Sequence, residues 1–281
     1  MRRFAATTRR ADRESPSYDG APMRRALRWF EARVLPRGWL DLIRQLALFL
    51  GAYFLYSIVR LAVHGGAYNP GYRPFGDAMR IIDIERVLHV FVEPTLQEWA
   101  LGKHWLIDGA DWIYLNAHLF VTIGVLAYIY TRHNRSFYVI RNMFLIAMVI
   151  ALVAYWLYPT APPRLMPEWG FSDAVKQFTG ITVEKGPSSE VLNLYAAVPS
   201  MHVCFAIMLG WPMAKFARRR AIKAAWALYP LLITFVVIVT GNHYFMDVFL
   251  GALTAGFSAF LAARVLPRLG LARWAFDEAP A

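Results

Sequence analysis

The chain has 281 residues, a net charge of +11 and a mean hydropathy of +0.36, with only 17% charged residues, well below the roughly 25% usual for a soluble domain. The positive charge sits near the N-terminus and in short loops between apolar runs, a placement that fits the positive-inside rule and leaves no call for nucleic acid as a partner. With Cys204 as the only cysteine, an intramolecular disulfide is excluded.

Residues 1–22 are polar and Arg-rich, hold Ser15-Pro16-Ser17, and read as a disordered tail. Residues 23–44 interleave Arg with Leu27, Trp29, Phe30, Val34 and Leu35, the pattern of an amphipathic segment lying on a membrane surface, with Pro36-Arg37-Gly38 as a break. The first roughly forty residues lack the apolar core of a cleavable signal peptide, so the first span is expected to target the chain.

Six apolar runs follow, at 45–63, 112–131, 142–158, 197–214, 224–240 and 245–263, each near the roughly 20 residues that cross a bilayer. The long segment 65–111 opens on the turn signals Gly65-Gly66 and Asn69-Pro70-Gly71. Within it, Met79, Ile82, Val87 and Phe91 alternate with Arg80, Asp83, Glu85 and Arg86, which predicts a surface helix over 78–91. A second long segment, 159–196, lacks periodicity and has the length of a lid or binding loop.

The expected fold class is all-α: a polytopic membrane protein with a six-helix bundle over 45–266, an N-terminal tail and interfacial segment over 1–44, and a short tail over 267–281. If both termini face the cytoplasm, 22 of the 30 Lys and Arg fall on the inner side and seven on the outer, with Arg60 inside the first span. The same topology brings the end of the third span, the start of the fourth and the hairpin between the fifth and sixth to one outer face. Three polar clusters meet there: Pro159 to Arg164, Pro199 to His202 and Gly241 to Asp247.

His243 and Asp247 are four residues apart and share one face of a helix. Asp247 can accept from one ring nitrogen of His243 and leave the other free to attack, or the two can form a structural pair at a helix start. His202 can serve as a general acid, or as a hydrogen-bonded interfacial histidine. Ser200 stands at a helix N-terminus, where phosphate oxygens are well received. Arg164 follows the stiff pair Pro162-Pro163; its guanidinium can hold a phosphate by a fork of N–H donors or face lipid headgroups. His118, near an outer span end with no partner in view, is given a packing role. No Cys, His, Asp and Glu cluster has metal-ligand spacing, and no phosphate-binding loop or dinucleotide fingerprint is present.

Taken in order, Tyr158-Pro159-Thr160-Ala161-Pro162-Pro163-Arg164, Ala197-Val198-Pro199-Ser200-Met201-His202 and Thr240-Gly241-Asn242-His243-Tyr244-Phe245-Met246-Asp247 resemble the type 2 phosphatidic acid phosphatase superfamily. The branch holding inositol phosphorylceramide synthases and their bacterial relatives is the most similar. The resemblance implies a membrane phosphotransferase or phosphatase that works through a phosphohistidine at the outer face of the plasma (inner) membrane, with no metal or other cofactor. His243 would be the nucleophile, Asp247 its orienting partner and His202 the proton donor, with Arg164, Ser200 and Asn242 binding phosphate. The expected partners are a membrane phospholipid or other lipid phosphate and a lipid hydroxyl as acceptor, not nucleic acid.

Two cations of the superfamily pattern are missing. Its lysine seven residues before the first-motif arginine is Leu157 here, and its arginine six residues before the nucleophile is Val237. Lys176, Lys185, Arg73 or Arg80 are the candidates to replace one of them. Fewer cations suit a singly charged phosphodiester better than a phosphomonoester near two charges, because an unpartnered dianion is costly to desolvate. Head-group transfer on a diester is therefore the leading expectation, hydrolysis of a lipid phosphate or polyprenyl diphosphate the second, and a non-catalytic headgroup-binding membrane protein the third. A transporter fits less well, since the polar residues gather at one face and not at mid-membrane.

Overall fold

The computed structural model describes residues 34–64, 73–179 and 195–271. The expected N-terminal tail, the first half of the interfacial segment, the turn signals at 65–71, residues 180–194 with Lys185, and residues 272–281 lie outside them. Among the described residues the chain is helical, with one isolated bridge between Thr160 and Ala196 and no strand. The helices are α1 (Gly38–His64), α2 (Arg73–Val87), α3 (Glu93–Leu101), α4 (His104–Trp112), α5 (His118–Arg132), α6 (Asn134–Leu157), α7 (Ala174–Thr179), α8 (Met201–Phe216), α9 (Arg220–Val239) and α10 (Phe245–Phe260). One wide turn, Ile113–Ala117, joins α4 and α5 into a single rod.

Five of these rods are long and apolar enough to cross a membrane: Gly38–Leu55, His104–Arg132, Asn134–Leu157, Arg220–Val239 and Phe245–Leu269. Their outward faces carry Leu50, Phe54, Phe120, Trp156, Leu231 and Phe257, all at least half exposed, as lipid-facing side chains are. The sixth expected run is α8, an apolar helix of 16 residues, roughly 24 Å at the α-helical rise and short of a 30 Å core. It is short because the first residues of the expected run, 197–200, are not helical but buried against the neighbouring helices.

The first rod begins at Gly38, just past Pro36-Arg37, so residues 38–44 are helical and continuous with the first apolar run. Nothing between Trp39 and His64 breaks a helix. Although α1 shows most of its surface outward, a polar clamp ties its start to the bundle. Tyr138 and Tyr130 donate to Asp41 at 2.6 and 3.0 Å, and the buried Arg141 donates to Gln45 at 2.7 Å. That clamp marks the end of the bundle opposite the motifs.

At the motif end the described parts of the two long segments form a second core. Phe75, Ala78, Ile81 and Ile82 of α2 pack with Ala161, Met166, Phe171, Tyr195, Val198 and Tyr244. The helix is therefore turned from the expected register. Met79 and Val87 are exposed, whereas Glu85, expected on the polar face, is fully buried. The reason is tertiary: Glu85 accepts from the backbone of α10, and that bond outweighs the local pattern.

Helices α8 and α10 cross at their starts, and Gly251 lets them meet. A Cβ there would come 2.4 Å from the carbonyl oxygen of Ser200. Gly251→Ala is expected to lower stability by about 1–3 kcal/mol through overpacking. Thermal melting in detergent checks this; an unchanged midpoint would mean that the two helix starts separate freely.

Candidate active site

Backbone bonds bring the three motifs together. The Arg164 amide donates to the Gly241 carbonyl at 2.8 Å, and the Ser200 amide donates to the Asp247 carbonyl at 3.0 Å. Gly241 adopts φ +69°, and a Cβ on it would meet Gln97 Nε2 at 2.6 Å, so the hairpin between α9 and α10 needs glycine on both counts. Gln97 in turn exchanges two 2.9 Å bonds with the backbone of Ser172. These contacts fix the height of Arg164 relative to His243.

His243 is buried just ahead of α10. Its Nδ1 lies 3.0 Å from the Ala197 carbonyl oxygen and 3.4 Å from Asp247 Oδ2. Both neighbours can only accept, so Nδ1 carries the proton and Nε2 keeps its lone pair in the neutral ring. The nearer orienting group is thus a backbone carbonyl from the second motif. Asp247 makes its shorter bond elsewhere, accepting from the Tyr244 amide at 2.9 Å at the start of α10.

His202 sits on the first turn of α8. Its ring centroid is 5.8 Å from that of His243 and 5.1 Å from that of His118, and it stacks on Tyr114 at 4.6 Å. His118, expected in a packing role, lies in this cluster. Its Nδ1 is 2.9 Å from the Tyr229 hydroxyl, and its Nε2 is buried without a partner. An open cavity of about 310 Å³ runs beside these rings, lined by Tyr114, His118, Thr122, Met201, His202 and Phe205.

Arg164 is buried on a short turn, Pro163–Leu165. Its guanidinium donates to Asn242 Oδ1 and lies against the Tyr114 hydroxyl, while its Nε has no partner. The Asn242 amide donates to Thr240 Oγ1 at 2.8 Å. Asn242 thus spends both ends on protein groups and faces Arg164. Ser200 caps α8, its Oγ accepting from the Val203 amide at 3.5 Å; its own hydroxyl proton is free to donate.

Of the candidates to replace the missing cations, Arg73 donates to the carbonyl of Leu157, the residue at the superfamily's lysine position, and pairs with Asp77 at 3.4 Å. Arg80 pairs with Asp77 at 2.8 Å and is largely exposed. Lys176 is exposed on α7. Val237 is fully buried in an apolar cluster with Val203 and Ile233.

Sequence reasoning missed Asp111, Tyr114, Glu85 and Glu93. Asp111 is fully buried with both oxygens unpartnered, within electrostatic reach of Arg164. With Tyr114 and His118 it forms a polar stripe at spacings of three and four on an apolar rod, a signal that was open to reading. Among the described residues no group of three or more His, Cys, Asp or Glu side chains is arranged to hold a metal ion.

A family model, that of the PAP2 superfamily, matches residues 79–261, which takes in all three motifs and every residue of the cluster. No curated protein and no solved structure matches the chain significantly.

Proposed function

The chain belongs to the PAP2 superfamily, a membership that supports a membrane enzyme of the phosphatase or phosphotransferase type, and from that premise we propose that it transfers a phosphoryl-bearing head group through a phosphohistidine on His243. The observation that carries this reading is the pair of acceptors on Nδ1 of His243, which leaves Nε2 as a nucleophile. In the first step the Nε2 lone pair attacks phosphorus, the bond from phosphorus to the leaving oxygen breaks, and His202 supplies the proton that this oxygen takes up. In the second step an acceptor hydroxyl attacks the phosphohistidine, the P–N bond breaks, and His202 takes the proton back. Asp247 stabilises the imidazolium character that develops on His243.

Arg164 and the free hydroxyl proton of Ser200 hold the phosphate oxygens. Asn242 acts through Arg164, holding its guanidinium in place. Arg73, at the Leu157 carbonyl, stands in for the missing lysine, while the second missing cation is not replaced at Val237. A site with Arg164 as its buried cation suits the single charge of a phosphodiester. The substrate is accordingly a phosphodiester lipid, with a lipid hydroxyl as acceptor, as in the inositol phosphorylceramide synthase branch. Neither a metal nor an organic cofactor has a step in this scheme.

We place six spans in the plasma (inner) membrane, with α8 as the fourth and the site on the outer face. The distribution of Lys and Arg supports this orientation. Domain limits of 1–44, 45–266 and 267–281 go with it.

The test is release of head group and of free phosphate from a lipid panel, with EDTA present and His243→Ala as control. Head-group transfer to an added lipid hydroxyl, with little free phosphate, is the expected result. Free phosphate from phosphatidic acid at a comparable rate would make the enzyme a phosphatase and overturn the argument from charge.

A further inference from the structure

The first three backbone amides at the start of α10 are each taken by a carboxylate. Asp247 Oδ2 accepts from Tyr244, Glu93 Oε1 from Phe245 at 2.9 Å and Glu85 Oε1 from Met246 at 2.7 Å. Asp247 is local to the helix. Glu85 and Glu93 come from α2 and α3, about 150 or more residues away in sequence, and both are fully buried. Their second oxygens, Oε2 of each, are buried without a donor, and the Oε1 atoms hold the consecutive amides of Phe245 and Met246, which sets the two carboxyl groups side by side. Two ionised carboxylates cannot bond to each other, and two buried negative charges side by side repel. One proton between the two Oε2 atoms removes both difficulties.

We propose that Glu85 and Glu93 share one proton and act together as a clamp on the start of α10, positioning His243 and Asp247 for reaction. The acids touch neither substrate nor the reacting atoms. They are positioning residues: they hold the turn from which His243 and Asp247 project, and through Phe245 and Met246 they tie it to the outer helices. The side chains acting on Glu85 are themselves acids, Glu93 from α3 and Asp247 from α10. Tyr244 faces both glutamates and is also reached by Glu168 from the turn Pro167–Trp169. Burial first, and then the neighbouring Glu93, push the Glu85 carboxyl well above the usual carboxylate range. Because this group is raised above its unfolded value, the clamp is intact at neutral pH and is lost on the alkaline side, as pH rises through the raised value.

Glutamine is the isostere of a protonated glutamate. In Glu85→Gln or Glu93→Gln, one amide N–H₂ takes the place of the shared proton while the amide oxygen keeps its backbone bond. In the double variant two N–H₂ groups face each other and no orientation satisfies both ends. The full chain in detergent is assayed with the lipid panel across pH, with thermal melting as the check on folding. Each single Gln variant is expected to retain the wild-type kcat at neutral pH, and Glu85→Gln to lose the alkaline fall of the wild type. The double variant is expected to lose kcat roughly 100-fold with KM little changed, the scale of a misplaced reacting group. A double variant at wild-type kcat, or single variants as damaged as the double, would overturn the clamp.

This kinetic arm rests on the function proposed above, so a second readout does not. In the difference between the wild type and each single Gln variant, the infrared carbonyl band of a buried protonated carboxyl is expected, which sets it apart from Asp111, unchanged in both. Its absence from these differences overturns the shared proton whatever the activity. Its presence without any His243-dependent turnover supports the shared proton and overturns the proposed function instead.

Discussion

Replacing His243 with alanine is expected to reduce turnover by about 10⁴-fold or more while the protein stays folded, because in the proposed mechanism the ring is the nucleophile. The fold should tolerate the change. The Asp247 bond to the Tyr244 amide and the two glutamate bonds to α10 do not involve the ring. The Ala197 carbonyl loses one partner and a small cavity opens, a cost of about 1–3 kcal/mol. His202→Ala should differ in kind. It removes the proton donor and acceptor but not the nucleophile, so a substrate with a good leaving group such as a nitrophenolate should recover the first step, read as a burst of nitrophenolate, while the second step stays slow. His243→Ala should not recover with any leaving group. Trapping acid-labile phosphoprotein from labelled substrate separates the cases further, with label retained on His202→Ala and lost on His243→Ala. Turnover surviving in His243→Ala would remove the phosphohistidine from the mechanism.

The second large effect is expected at Arg164. Loss of a preorganised donor to developing phosphate charge costs about 10²–10³ in kcat, and Arg164→Ala should fall in that range. Arg164→Lys should recover little. The guanidinium bonds Asn242 and lies against Tyr114 with its planar fork, and an ammonium on a flexible stem cannot meet both and a phosphate at once. Asn242→Ala should have a smaller effect of its own and almost none in an Arg164→Ala background, since it acts through the arginine. That non-additivity, read from a double-mutant cycle, discriminates positioning from direct phosphate contact. Full additivity would return Asn242 to the role of phosphate ligand that its place beside His243 first implies.

Much of the arrangement was legible in the motifs. Pro-Pro-Arg, Pro-Ser-Met-His and the hairpin through Asp247 each stand at the edge of an apolar run. Span counting alone brings such edges to one end of a bundle, and the structure joins all three there through the amides of Arg164 and Ser200. The identity of the group nearest His243 Nδ1 was not legible. A histidine and an aspartate four residues apart imply each other, whereas the Ala197 carbonyl lies 46 residues away and carries no side-chain signature. The neighbours of His118 were not legible for a similar reason. On its own span it has no partner, and its neighbours His202 and Tyr229 come from α8 and α9.

The amino-acid sequence by itself determined the class of the protein: apolar runs of membrane length, positive charge gathered near the N-terminus and in short loops between them, and three motifs whose order and spacing match the family. These are properties of composition and period, which a linear chain states directly. Only the tertiary structure decided which face of α2 turns inward, that Glu85 and Glu93 meet over the start of α10, and that Arg73 rather than Arg80 reaches the carbonyl of Leu157. Each of these depends on a backbone amide or carbonyl from a distant segment. Every residue carries the same backbone groups, so the sequence holds no mark of which amide a buried carboxylate will find, and only packing brings the two together.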